Sequence, residues 1–281
     1  MLLVYSAAIL GGICYGIAES LNKNITEKKY SAFSYAFLQW GLNAIFYLIP
    51  FLFFAQFPKT LPPYIFLLGV LSCNLGGNLT IIKAYKTEDL SNINILSRFS
   101  LVIGFLSGVI LLHEKVSSFN IAGVIAIILG IIIIFYEGKG FKPSPGYFFA
   151  VFSGLLYGLV GYFQKMALNS FNIISLIFIF NLSASLSLLL NPKTIKDIKP
   201  IWKKHKKKIL LSRIGIVVGV FLVLWSIKEG NISIVNTNIE TSFLLSTAFI
   251  GIFFLNEKKS VTKKLLGSIF CTLGIVLLNF F

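Results

Sequence analysis

Apolar runs of roughly 17–25 residues, each closed by a short polar or proline-bearing stretch, recur along the whole chain, and a helix of that length crosses a bilayer. Ten spans can be drawn, at 2–21, 31–54, 63–85, 90–112, 118–136, 146–168, 172–190, 209–228, 232–255 and 261–280. Most connections are short, so consecutive spans must pack as neighbours; the longest runs from Asn191 to Lys208. No strand alternation competes with this pattern, and backbone groups find no water in hydrocarbon, so the spans must be helices. The first span begins at Met1 without a basic leader or a small-residue cleavage site, and is expected to be retained. The pattern predicts an all-α membrane protein with ten transmembrane helices.

The pattern occurs twice. Asp89–Lys115 reads DLSNINILSRFSLVIGFLSGVILLHEK, and Asn231–Lys258 reads NISIVNTNIETSFLLSTAFIGIFFLNEK. Ser91 matches Ser233, Asn94 matches Asn236, Ser100 matches Ser242, and Glu114-Lys115 matches Glu257-Lys258. Further pairs extend the match to nearly the whole chain: Gly12 with Gly154, Tyr15-Gly16 with Tyr157-Gly158, Lys23 with Lys165, Lys86 with Lys228, and Gly123 and Gly130 with Gly267 and Gly274. The offset is 142 residues early and 144 in the last span. The repeats are therefore 1–140 and 141–281, with five spans each. Five is odd, so the second repeat enters the membrane from the other side. Two inverted repeats generate a pseudo-two-fold axis in the membrane plane, a frame suited to alternating access.

Composition agrees with a membrane solvent. Hydrophobic residues make up 56% of the 281, charged residues 12%, and the mean hydropathy is +0.86. Net charge is +15, but the lysines sit at span ends and connections, which sets orientation and gives no reason to expect nucleic acid. Stretches after spans 1, 3, 5, 7 and 9 hold 18 Lys, and the opposite face has Lys59, Lys115, Lys165 and Lys228. The Lys-rich face, with the basic loop 191–208, is accordingly expected in the cytoplasm, with both termini outside. A bacterial inner membrane is the expected location. Cys14, Cys73 and Cys271 lie in apolar runs and read as packing residues. The chain carries no Walker motif. His113 and His205 lack acidic or Cys companions at metal spacing, so no catalytic group, metal or cofactor is expected.

Five-plus-five helices, an early Gly-x-x-Tyr-Gly in each half, and a Glu-Lys after the fourth span of each half resemble the drug/metabolite transporter superfamily, in its EamA-type branch. Here the Glu-Lys pairs read His113-Glu114-Lys115 and Asn256-Glu257-Lys258, each followed by a glycine-bearing apolar span. Glycine usually precedes that Glu in the family; His113 and Asn256 replace it. The resemblance covers about the whole chain. It implies secondary transport of small metabolites, often export, through a central cavity lined by spans 1, 3, 4, 6, 8 and 9.

Two ionisable residues lie well inside equivalent spans: Arg98 in the fourth and, at the matching position, Glu240 in the ninth. An intramembrane charge usually has a partner and a function. One reading is a bipolar site, with Arg98 holding a carboxylate or phosphate and Glu240 an amine or proton. The other is a structural ion pair locking the halves together. Asn94 shares a helical face with Arg98, Asn236 with Glu240, and Asn74 with Asn78, each pair at i, i+4. These, with Tyr15, Tyr157, Tyr162, Gln164 and Trp225, are candidate cavity walls. Glu19 is a candidate proton carrier together with Glu240, or a helix-end carboxylate reaching Lys23. Lys83 is expected to snorkel, and Glu114 and Glu257 to act as turn and orientation elements. The expected function is secondary active transport of a small polar or zwitterionic, amino-acid-like metabolite, driven by protons or a counter-substrate. An exchanger of anionic or phosphorylated metabolites, using Arg98, Lys83 and Lys86, is the alternative. A lipid flippase or a non-transporting scaffold stands further off, and the sequence leaves the oligomeric state open.

Overall fold

The computed structural model describes residues 1–22, 30–87, 93, 96–135, 144–254 and 261–280. Within them the chain forms ten helices of 13 residues or more, and no strand. They are α1 (Leu2–Asn22), α2 (Ala32–Phe54), α3 (Pro62–Thr87), α4 (Phe99–Leu111) and α5 (Ser118–Phe135) in the first half. The second half has α6 (Pro145–Leu168), α7 (Ile173–Leu188), α8 (Ile198–Glu229), α9 (Ile232–Phe253) and α10 (Val261–Phe280). A single turn, Lys193–Lys196, precedes α8.

Five segments are long and apolar enough to span a bilayer: Phe33–Phe54, Pro62–Ile81, Pro145–Leu168, Ile198–Glu229 and Val261–Asn279. Leu2–Ala18, Phe99–Leu111, Ser118–Ile134 and Ile173–Leu188 are shorter apolar helices. Their outward faces are apolar too. On α10 the exposed stripe is Leu265, Ile269, Leu273 and Val276, while Gly267, Cys271, Gly274 and Leu278 turn inward. A face that repels water at this length belongs in lipid. The chain is an integral, multi-pass membrane protein.

Helix α9 departs from that pattern because it is polar where it is buried. Ser233, Thr237, Asn238, Thr241 and Ser242 are each at most 3% exposed. Three of the hydroxyls are satisfied within the helix: Thr237 donates to the Ser233 carbonyl at 2.7 Å, Thr241 to that of Thr237 at 2.7 Å, and Ser242 to that of Asn238 at 2.6 Å. Asn238 and Asn279 exchange amide hydrogen bonds at 2.8 and 3.0 Å, tying α9 to α10.

Close glycine contacts reveal how the halves are related. Gly123 lies against Gly274 and Gly130 against Gly267, so α5 and α10 run antiparallel. Gly104 faces Asn236 and Gly108 faces Ser233, which makes α4 and α9 antiparallel. Asn43 bonds Asn181, and the Gln56 N–H bonds Ser175, which does the same for α2 and α7. Each of these pairs joins equivalent helices, so the two repeats are inverted. The remaining large contacts come in mirrored couples: α1 on α8 with α6 on α3, and α1 on α9 with α6 on α4. Even the details match. Gly219 packs on the Tyr15 ring, and its counterpart Gly77 packs on the Tyr157 ring.

The segment 191–208 is not a loop. Thr194 and Ile201 are buried, and α8 runs unbroken from Ile198 for 32 residues, about 48 Å. Lys-rich polarity mimics a connection, but no Gly or Pro interrupts Ile201–Ile214, and Ile201 and Ile209 fall on one helical face. Both are fully buried and pack with Tyr35 and Leu38 of α2. Pro200 sits in the first turn, where its missing N–H has no helical partner to lose. The Lys cluster thus lies on a helical extension of α8, with Lys203, Lys204, Lys206, Lys207 and Lys208 exposed.

Candidate functional site

Arg98 and Glu240 meet. An Nη of Arg98 donates to Oε2 of Glu240 at 2.6 Å, and the side chains retain 18% and 32% exposure. Two helices position the pair. Arg98 is the N-cap of α4 with φ −69° and ψ −2°, a turn residue with helical Leu96 and Ser97 before it. Glu240 stands on α9, one position before Thr241 of the buried polar face. The sequence places Arg98 about two turns inside a continuous span; the structure puts it where the helical path breaks. Gly154 of α6 packs on this break, against the Ser97 carbonyl and the backbone N of Ser100. The guanidinium also lies over the Phe243 ring, 5.1 Å from its centroid. Its Nε is buried and has no hydrogen-bond partner among the described residues.

Phe243 has a second neighbour. With Tyr15, Tyr157 and Trp40 it forms part of the wall of a cavity of about 370 Å³ between the repeats. The polar wall comprises Gln39, Asn43, Asn74, Gln164, Asn181 and Arg213. The Asn43 amide donates to the Asn181 side-chain oxygen at 3.2 Å, closing α2 against α7. Helices α1, α2, α3, α6, α7, α8 and α9 all contribute. Such a volume, with a few polar groups among aromatic rings, suits one small molecule.

The described candidates named from the sequence fall into three groups. Tyr15, Tyr157, Asn74 and Gln164 line the cavity. Arg98 and Glu240 stand beside it, behind Phe243. The others pack elsewhere. The Asn78 amide donates to the Asn74 carbonyl at 3.1 Å within α3, and Asn236 wedges between Gly104 of α4 and Gly161 of α6. Tyr162 packs edge-on against Phe163, and Trp225 against the apolar core. Lys83 is exposed, its ammonium 5.4 Å from the Phe149 ring centroid. Asn94, Glu257 and the side chains of Glu19 and Lys86 lie outside the described residues. Among the described residues no group of three His, Cys, Asp or Glu side chains is disposed to hold a metal.

Glu114 has a more specific place than a turn. Its carboxylate accepts from the backbone N–H of Ile232 at 2.6 Å and of Ser233 at 2.9 Å, and from the Ser233 hydroxyl at 2.6 Å. It therefore caps α9, the helix that carries Glu240, from the other repeat. Across the same corner the Lys165 ammonium donates to the Lys228 and Gly230 carbonyls at 3.0 and 2.6 Å, capping the end of α8.

Sequence reasoning passed over Arg213, Asn43, Gln39 and Asn181. A usable signal existed for Arg213: it is one of only two arginines in the chain, and it interrupts an apolar run. For the amides only their placement in space distinguishes them.

A profile of the EamA-like transporter family matches residues 2–136 and again 144–280. The chain belongs to that family. The two matched segments of this EamA-like protein coincide with the two inverted halves. It is similar over its length to a solved protein titled only "Crystal structure of protein", with a TM-score of 0.74 and 14% identity, covering 97% of this chain and 98% of that one. At that identity the likeness establishes the fold. No curated protein matches the sequence.

Proposed function

We propose that this protein is a secondary active transporter of a small polar or zwitterionic metabolite, working by alternating access. All ten helices cross the membrane in this reading, and the two repeats rock against each other around the cavity. The observation that carries it is the Arg98–Glu240 pair. It joins equivalent positions of the two inverted repeats, beside a polar cavity, through helices that face each other across the pseudo-two-fold axis. An ion pair at such a seam closes it without blocking its opening, provided the charges find other partners when it parts. Phe243 is the partition between pair and cavity. Its rotation exposes Arg98 to substrate, and the spare Nε of Arg98 gives it a donor to offer. Protons or a counter-substrate supply the drive, with Glu240 as the group that exchanges its partner.

Reconstitution into liposomes tests this. Uptake of labelled amino acids by the wild-type protein is expected to fall at least tenfold in both Arg98→Ala and Glu240→Gln. Undiminished flux in both variants removes the pair from the transport cycle.

A further inference from the structure

We infer that the Lys-rich start of α8 holds the headgroup of an anionic phospholipid, with Lys203 and Lys207 on its phosphate and the acyl chains along the helix beyond them. Helix α8 has 32 residues and a length of about 48 Å, about 18 Å more than the hydrocarbon layer needs. The charge falls in that surplus: the five lysines of 203–208 are all exposed. Ile201 and Ile209 are buried against Tyr35 and Leu38 of α2, which holds the extension on the bundle and fixes its rotation. Trp202 and Tyr30 pack on the same cluster, and the Tyr30 ring meets that of His205 edge-on at 6.1 Å. Trp and Tyr gather at headgroup level, so the lysines beside them stand in the headgroup layer rather than out in water.

One face of the helix leads from this charge straight into lipid. Lys203, Lys207, Leu210, Ile214, Val218 and Phe221 are all exposed and follow one another at spacings of three or four residues. Charge occupies one end of that stripe and apolar side chains the rest. Leu210 to Phe221 rises about 16 Å, close to the hydrocarbon depth of one leaflet. The stripe thus has the polarity and the length of one diacyl lipid, and lysine stems are long enough to bring their ammoniums to its phosphate. The sign of the headgroup follows from charge. The stretches after spans 1, 3, 5, 7 and 9 hold 18 Lys against six Asp or Glu, so carboxylates at this end cannot neutralise the lysines even if each holds one. Asp197, the carboxylate nearest in sequence, already accepts from the Ser31 N–H at 2.7 Å. A headgroup with a phosphate and no amine gains most from such a surface, because a zwitterionic one brings its own cation against the lysines.

Purified protein in mild detergent, titrated with dioleoyl phosphatidylglycerol or dioleoyl phosphatidylcholine and weighed as intact complexes, tests this. Wild type is expected to bind phosphatidylglycerol at least tenfold more tightly than phosphatidylcholine. A lysine at a headgroup is worth about fivefold in affinity, so Lys203→Gln with Lys207→Gln should weaken phosphatidylglycerol binding at least tenfold and leave phosphatidylcholine binding unchanged. Lys59→Gln with Lys115→Gln removes the same charge from two exposed positions outside the cluster, and should bind as wild type does. Equal affinity of wild type for the two lipids, binding of neither, or equal losses in the two double variants overturns the inference. So does dihexanoyl phosphatidylglycerol bound as tightly as the dioleoyl form, or displacement of the lipid by inorganic phosphate at equal concentration, since either reduces the stripe to a patch for phosphate alone.

Discussion

His113 has φ of 53°, the one positive φ outside glycine among the described residues. Family members usually have glycine there, and the geometry supplies the reason. Just beyond the end of α4 the chain must reverse so that the Glu114 N–H reaches the Gly108 carbonyl at 3.1 Å and the carboxylate reaches α9. A left-handed residue makes that reversal, and a side chain there costs about 1–2 kcal/mol. His113 is exposed, so nothing else depends on its ring. His113→Gly should therefore stabilise the protein by about 1 kcal/mol, less whatever the freer unfolded chain takes back. Thermal unfolding in mild detergent reads this as a higher midpoint, and a lower one would mean that the imidazole holds the turn. At this scale the sequence was half legible. Arg98 and Glu240 stand out because charge is rare in an apolar run and because they align. Arg213 was hidden by the lysines just before it, which made its helix look as if it began later. Asn236 and Asn78 read as cavity walls because amides on one helical face look alike whether they line water or fill a crossing.

Helix ends were legible only in part. The apolar runs locate most helices to within a few residues, since the length needed to span lipid leaves little freedom. Helix α8 escaped because its extension is held by Ile201 and Ile209 against α2, a tertiary contact that local polarity cannot reveal. The caps at the α8–α9 corner escaped for the same reason: Glu114 and Lys165 come from elsewhere in the chain. Their energetics are open to test. Asn231, the N-cap of α9, makes no side-chain cap bond, so the first N–H groups depend on Glu114. Glu114→Gln keeps the shape but removes the charge from the positive end of the helix and turns one acceptor into a donor. A loss of about 1–2 kcal/mol is expected. Adding Gly108→Ala should cost more, because a Cβ there would lie 2.7 Å from the Ser233 nitrogen and would collide with Glu114 Oε2. Unfolding midpoints for the two variants separate these contributions. A Glu114→Gln protein as stable as wild type would show that solvent satisfies the start of α9 equally well.

At the scale of the whole molecule the inverted repeat makes an unusual exchange possible. Positions 98 and 240 are equivalent, so Arg98→Glu with Glu240→Arg amounts to the original pair viewed from the other side of the two-fold axis. Either substitution alone puts two like charges where 2.6 Å now separates opposite ones, and should abolish transport and lower stability by about 3–5 kcal/mol. The double exchange should restore both if the pair acts by mutual attraction across the seam. Restoration should be incomplete for a specific reason. Phe243 lies under the guanidinium, and its equivalent, 142 residues earlier, is Leu101. The exchanged arginine therefore loses a ring worth about 0.5–2 kcal/mol, so flux should recover to within roughly tenfold of wild type. If instead Arg98 and Glu240 each hold one end of a substrate, symmetry offers no rescue. The substrate would meet its cation and anion sites reversed while Arg213 and the cavity stayed in place. The double variant would then be as inactive as either single one, though short of wild-type stability only by the lost ring contact, about 0.5–2 kcal/mol. Flux and stability measured together on these three proteins thus distinguish a seam held by charge from a site read by substrate.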